Sequence, residues 1–82
     1  MINKSSPIAV VSRSFTKSKE LRDNLEQNFD NVKYNEELLH FDEDSLIKFL
    51  QGFEAAIVSE DKISKKIIDS LPDLKIISKF GV

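Results

Sequence analysis

Apolar residues in this chain fall into short unbroken runs that alternate with stripes at helical spacing. Ile8 to Val11 and Ala55 to Val58 are unbroken runs, as expected of strands covered on both faces of a sheet. Val32, Lys33 and Tyr34 alternate instead, which suits an edge strand wetted on one face. Leu74 to Ser78 reads as a fourth strand, beginning just after Pro72 forbids the preceding helix from continuing. Ser12, Arg13 and Ser14 read as the loop that leaves the first strand.

Between these runs the period changes to that of helices. Leu21, Leu25 and Phe29 recur every four residues among charged neighbours, predicting a helix from about Ser18 to Asn28 with one buried face. Asp42 can cap a second helix, with Glu43 and Asp44 favourable to its dipole and Phe41 spaced to staple onto Leu46. Its predicted buried face is Leu46, Ile47, Phe49 and Leu50, and Gly52 ends it in the left-handed conformation. Ser64 can cap a third helix, with Ile63 and Ile68 at staple spacing and Ile67 and Leu71 completing the stripe.

Strand centres near positions 10, 33, 57 and 76, with a helix in each gap, predict an α/β fold. Right-handed crossovers then make the sheet parallel, and the degree of burial of each run orders it 2-1-3-4. No linker, repeat or low-complexity stretch divides the chain, so residues 1–82 form a single domain, with Met1 to Ser6 expected to fray.

Composition narrows what this fold can do. In a chain of 82 residues the core is thin. A net charge of −2 gives no general attraction to nucleic acid or anionic membrane, so neither is an expected partner. The absence of cysteine removes disulfides and thiolate chemistry and fits a reducing compartment. The longest apolar runs are far shorter than the ~18 residues a membrane helix requires, and Met1 to Val11 does not read as a signal peptide. Cytoplasm is the default location.

In open α/β sheets ligands bind beyond the carboxyl ends of the strands. Those ends carry Ser12, Arg13 and Ser14, then Asn35, then Ser59 and Glu60, and finally Ser78, Lys79, Phe80 and Gly81. Hydroxyls, cations and a glycine on one rim suit a small anionic ligand, while the same residues also terminate strands and solvate surfaces. Gly81 would let backbone N–H groups, its own and that of Val82, approach a carboxylate. His40 is the only histidine and reads as a loop residue. The acidic pairs at Glu36, Asp42 and Glu60 sit at turns or helix starts, where capping accounts for them and a magnesium role is not needed. Lys17, Lys19 and Arg22 interleave with acids and read as a solvated face. Neither a glycine-rich phosphate loop nor a nucleophile elbow is present.

Three stretches, Val11 to Phe15, Ala55 to Ser59 and above all Leu71 to Val82, resemble the start of a D-isomer-specific 2-hydroxyacid dehydrogenase of the phosphoglycerate dehydrogenase-like kind. The resemblance implies a flavodoxin-like substrate-binding domain in a parent that interconverts a 2-oxo acid and a 2-hydroxy acid with NAD. It also implies that Gly81 and Val82 match the first two positions of a Gly-Val-Gly loop whose amides hold the substrate carboxylate. Arg13, Ser14, Ser59 and Lys79 are the remaining candidate substrate-binding residues.

The resemblance further implies that the chain is an N-terminal, truncated piece of that domain, with four strands and three helices. It would lack the NAD-binding domain and the catalytic arginine, glutamate and histidine, bind no cofactor itself and be inactive alone. Strand four would be a free apolar edge, inviting homo-oligomer formation. Two other readings remain: a stand-alone receiver-like or binding module, poorly supported because strand one ends in Ser12 and Arg13 rather than paired acids, and an interaction protein.

Overall fold

The computed structural model describes residues 2–80. Four strands, β1 (Ile8–Val10), β2 (Val32–Tyr34), β3 (Ala55–Val58) and β4 (Ile76–Lys79), form one parallel sheet in the order β2-β1-β3-β4. Ile8 lies between Val32 and Ala55, and Ala55 pairs in turn with Ile76, so the strands start nearly level. The chain steps one way from β1 to β2 and the other way from β1 to β3 and β4. With right-handed crossovers, that reversal puts helices on opposite faces.

Alternation along the strands divides the core accordingly. Ala9, Val11, Ala56 and Val58 face α3 (Glu43–Leu50) and α4 (Lys65–Asp69), packing with Leu46, Leu50, Ile67 and Leu71. Val10 and Tyr34 form the opposite cluster with Phe15 of α1 (Arg13–Lys17), backed by Leu21 and Leu25 of α2 (Lys19–Asn28). Alanines at 9 and 56 let the helices of the first layer approach the sheet closely. Side-chain caps start every helix: the hydroxyls of Ser12, Ser18 and Ser64 and the carboxylate of Asp42 each accept a backbone N–H from the first turn. Gly52 follows α3 at φ 82°, in the left-handed region.

Four helices, not three, connect the strands. The segment read as a loop after β1 is the short helix α1, because the Ser12 hydroxyl accepts from Phe15 N and Thr16 Oγ1 donates back to the Ser12 carbonyl at 2.8 Å. Of the segment expected to fray, Met1 lies outside the described residues, while Ser6 is buried and bonded to Asn3 and Asp30 N donates to the Lys4 carbonyl at 2.9 Å. Leu74 belongs to a turn rather than to β4, its N–H donating to the Leu71 carbonyl. Ile68 makes no staple; it is 54% exposed while its neighbour Ile67 fills the core. The β4 edge is apolar, as its sequence implied, with Ile76 and Ile77 exposed.

The face of α2 is held by ion pairs. Arg22 forms a two-pronged bridge to Glu36 at 2.9 Å and lies 3.9 Å from the centroid of Tyr34, and Lys19 pairs with Asp23. The Tyr34 hydroxyl donates to Glu26 at 2.7 Å. Burial, reinforced by the Glu26 carboxylate, pushes the Tyr34 phenol up to about 12, from an ordinary value of about 10. A raised pKa in the folded state means that this stabilisation is complete below the unfolded pKa and is lost as the pH rises toward the folded one. The wild-type chain is therefore expected to lose stability relative to Tyr34→Phe as pH climbs through the interval between those two values. Parallel stability curves from denaturant melts across this interval would contradict the assignment.

Candidate functional site

Since the strands run in parallel, the three βα connections and the end of β4 gather on one rim. Beyond the carboxyl ends of β1 and β3 lies an open cleft of about 740 Å³. One wall is the start of α1, with Arg13 and Ser14; the facing wall is Ser59 to Lys62; the loop entering α3 and Phe80 close the sides. The chain reverses direction between β1 and β3, so the cleft occupies the topological switch point where such sheets hold ligands.

Hydroxyl chemistry fixes the floor of this rim. Ser12 Oγ accepts from Phe15 N at 3.1 Å and lies 2.7 Å from Ser59 Oγ, which donates to the Phe80 carbonyl at 3.1 Å. The single proton of Ser59 is used on that carbonyl, so Ser12 is the donor to Ser59. The bonds therefore run one way, from the Phe15 amide through both hydroxyls to Phe80. Phe80 is held twice more: its N–H donates to the Val58 carbonyl at 2.6 Å, and its ring meets Phe15 edge-on at 5.3 Å. The ends of β1, β3 and β4 are thus tied together immediately before residue 81.

Asn35 fixes the third side. Buried at the end of β2, it donates to the carbonyls of Val11 and Leu39 and accepts from Leu39 N, all within 3.1 Å. This clip holds a turn with Leu38 at φ 55°, a left-handed conformation unusual for leucine. The turn delivers His40 and Phe41 to the cleft. Asp42 is fixed by a reciprocal cap with Ser45, whose backbone N–H holds the carboxyl below its ordinary range. Glu43 is bonded by the Ser64 hydroxyl and lies 3.6 Å from Lys66. Lys66 is held above its ordinary value chiefly by its hydrogen bond to Asp44. Asp61 accepts from Ser59 N at 3.3 Å, shaping the loop after β3.

Of the residues singled out from sequence, Arg13, Ser14 and Ser59 line the cleft together. Lys79 does not line it; it is the exposed last residue of β4, beside Val58. Gly81 and Val82 lie outside the described residues. His40, Phe41, Asp42 and Glu43 line the cleft although sequence reasoning gave them only loop and capping roles. The available signal was topological: residues 35–42 form a βα connection, and every such connection in a parallel sheet lies on the ligand rim. Among the described residues, no three His, Asp or Glu side chains cluster as a metal site.

The family model for the catalytic domain of D-isomer specific 2-hydroxyacid dehydrogenases matches residues 8–82. The chain belongs to this family. Neither the curated proteins nor the solved structures give a match.

Among the described residues, no glycine-rich turn of the kind that cradles a dinucleotide pyrophosphate follows a strand. The turn after β1 has no glycine, and its capping hydroxyl, Ser12, is 1% exposed and already bonded to Phe15 and Ser59. The turn after β3 presents Glu60 and Asp61, which repel a pyrophosphate. What the cleft can offer is a cation at Arg13, a second at Lys62, the Ser14 hydroxyl and an apolar base of Val11, Leu46 and Ile67.

Proposed function

We propose that this chain is the substrate-binding part of an NAD-dependent D-2-hydroxyacid dehydrogenase and that its cleft binds the carboxylate of a 2-oxo or 2-hydroxy acid. The observation that carries this is the cleft at the β1/β3 switch point, with Arg13 and Ser14 on one wall, in a chain of this family. Among the described residues Arg13 makes no ion pair, so its guanidinium is available to an incoming anion. Arg13 supplies charge and paired N–H donors, and Ser14 adds a hydroxyl. Ser59 acts by fixing Phe80 at the side of the cleft. Lys79 contributes long-range attraction from the edge of the rim. Hydride transfer belongs to a nicotinamide-binding unit outside these residues, so the chain alone binds without turning over.

The test is calorimetric titration of the chain with 2-oxobutanoate and with its neutral isostere 2-oxobutanamide. Saturable binding of the acid with none of the amide is expected. Equal heats from both compounds, or none from either, would rule out carboxylate recognition.

A further inference from the structure

The charges around the cleft restrict which acid it takes. Its lining carries four carboxylates, Asp42, Glu43, Glu60 and Asp61, against the two cations Arg13 and Lys62. The Asp42 carboxyl is held below its ordinary range by its cap. Lys66 approaches Glu43 at 3.6 Å but is drawn more closely to Asp44, at 2.9 Å. Glu60 and Asp61 line the cleft next to Lys62 in the chain, so a second anion drawn to Lys62 is opposed by two like charges close by. One carboxylate can be held at Arg13; a phosphate, carrying about −1.5 to −2 charges, has only Lys62 left to it, where Glu60 and Asp61 offset the attraction.

The rest of the lining is apolar. Val11, Leu46 and Ile67 form the base, each nearly sealed from solvent, and the half-buried rings of Phe41 and Phe80 flank it. Phe41 rests on Phe49 with centroids 4.9 Å apart and Phe80 on Phe15, so both rings are backed by the two core clusters. They present fixed apolar walls rather than mobile ones. Apolar contact there adds about fourfold in affinity for each methylene buried.

We infer, resting on the carboxylate-binding reading above, that the cleft takes a monoanionic 2-oxo or 2-hydroxy acid with an apolar tail and rejects a phosphorylated one. The head lies at Arg13 and Ser14, the tail between Phe41 and Phe80. Selectivity comes from both sides, with apolar contact favouring the tail and the four carboxylates opposing a second anion.

The experiment is a titration of the full chain, followed by backbone amide shifts, with three probes: 4-methyl-2-oxopentanoate, 3-phosphonooxypyruvate and the uncharged 4-methyl-2-pentanone. The branched acid is expected to bind about tenfold or more tighter than the phosphorylated one, the discrimination that one screened like-charge contact provides. In Glu60→Lys this gap is expected to narrow severalfold through tighter binding of the phosphorylated acid. Equal or tighter binding of the phosphorylated acid by the unmodified chain overturns the inference and leaves carboxylate binding intact. If the ketone binds as tightly as the branched acid, or if no probe binds, the carboxylate reading falls and this inference with it.

Discussion

Leu50→Ala is expected to lower the unfolding free energy by about 2–5 kcal/mol, the range for truncating a buried leucine whose surroundings relax only partly. Leu50 is 0% exposed, at the end of α3, and packs in one cluster with Ala9, Ala56, Ile67 and Leu71. The two alanines beneath it have no longer side chain to extend into the space, so the cavity stays open. A domain of this size is stable by only about 4–12 kcal/mol, so the loss is a large share of the whole. Urea melts of the variant should give a much lower midpoint at an unchanged slope. Ile68→Ala, one residue from Ile67 but 54% exposed, serves as the control and should shift the midpoint little. Equal effects of the two substitutions would mean that the layer of α3 and α4 is not packed as described.

The second large effect concerns binding. Arg13→Glu is expected to weaken 2-oxobutanoate binding about 10–100-fold, equivalent to losing one charge-assisted hydrogen bond and meeting repulsion in its place. Since Arg13 makes no ion pair among the described residues, the fold should tolerate the change. Stability by urea melt is therefore measured beside affinity by calorimetry. Binding by the unmodified chain should weaken as salt rises, and the variant should show little of that dependence. Unchanged affinity in Arg13→Glu would move the anion site away from α1.

Much of this architecture could be read from the order of side chains, for identifiable reasons. Ile8 to Val11 and Ala55 to Val58 contain no polar position, and a strand covered on both faces requires none; these became the two central strands. The start of α3 was legible because Asp42 is a strong cap, although Ser45 as its reciprocal partner became visible only in three dimensions. What escaped the sequence depends on tertiary contact. Five residues with Phe15 as their single large apolar side chain carry too little periodicity to announce α1, which is held by Ser12 and Thr16 and by packing of Phe15 on Phe80. Ile67 and Ile68 are alike as neighbours in sequence, and only the position of the sheet decides which is buried.

The site was legible in part for the same reason. Strand ends are easy to locate, so Arg13, Ser14 and Ser59 were found together. The path of the loop through His40 and Phe41 depends on a left-handed leucine and on three bonds from Asn35, and neither follows from residue type. The direction of the Ser12 and Ser59 hydrogen bonds is likewise a property of geometry. It gives Ser59 the task of fixing Phe80, where the sequence had suggested only contact with the anion.

Binding of a 2-oxo acid at the carboxyl-end rim of β1 and β3 is read out by mapping backbone amide shifts of the chain during titration with 2-oxobutanoate. Shifts are expected to concentrate at Arg13, Ser14, Ser59 and Phe80, with none at Asn31, Glu54 and Lys75 on the opposite end of the sheet. Shifts confined to that opposite end, or an unperturbed rim at saturating acid, would contradict binding at this rim.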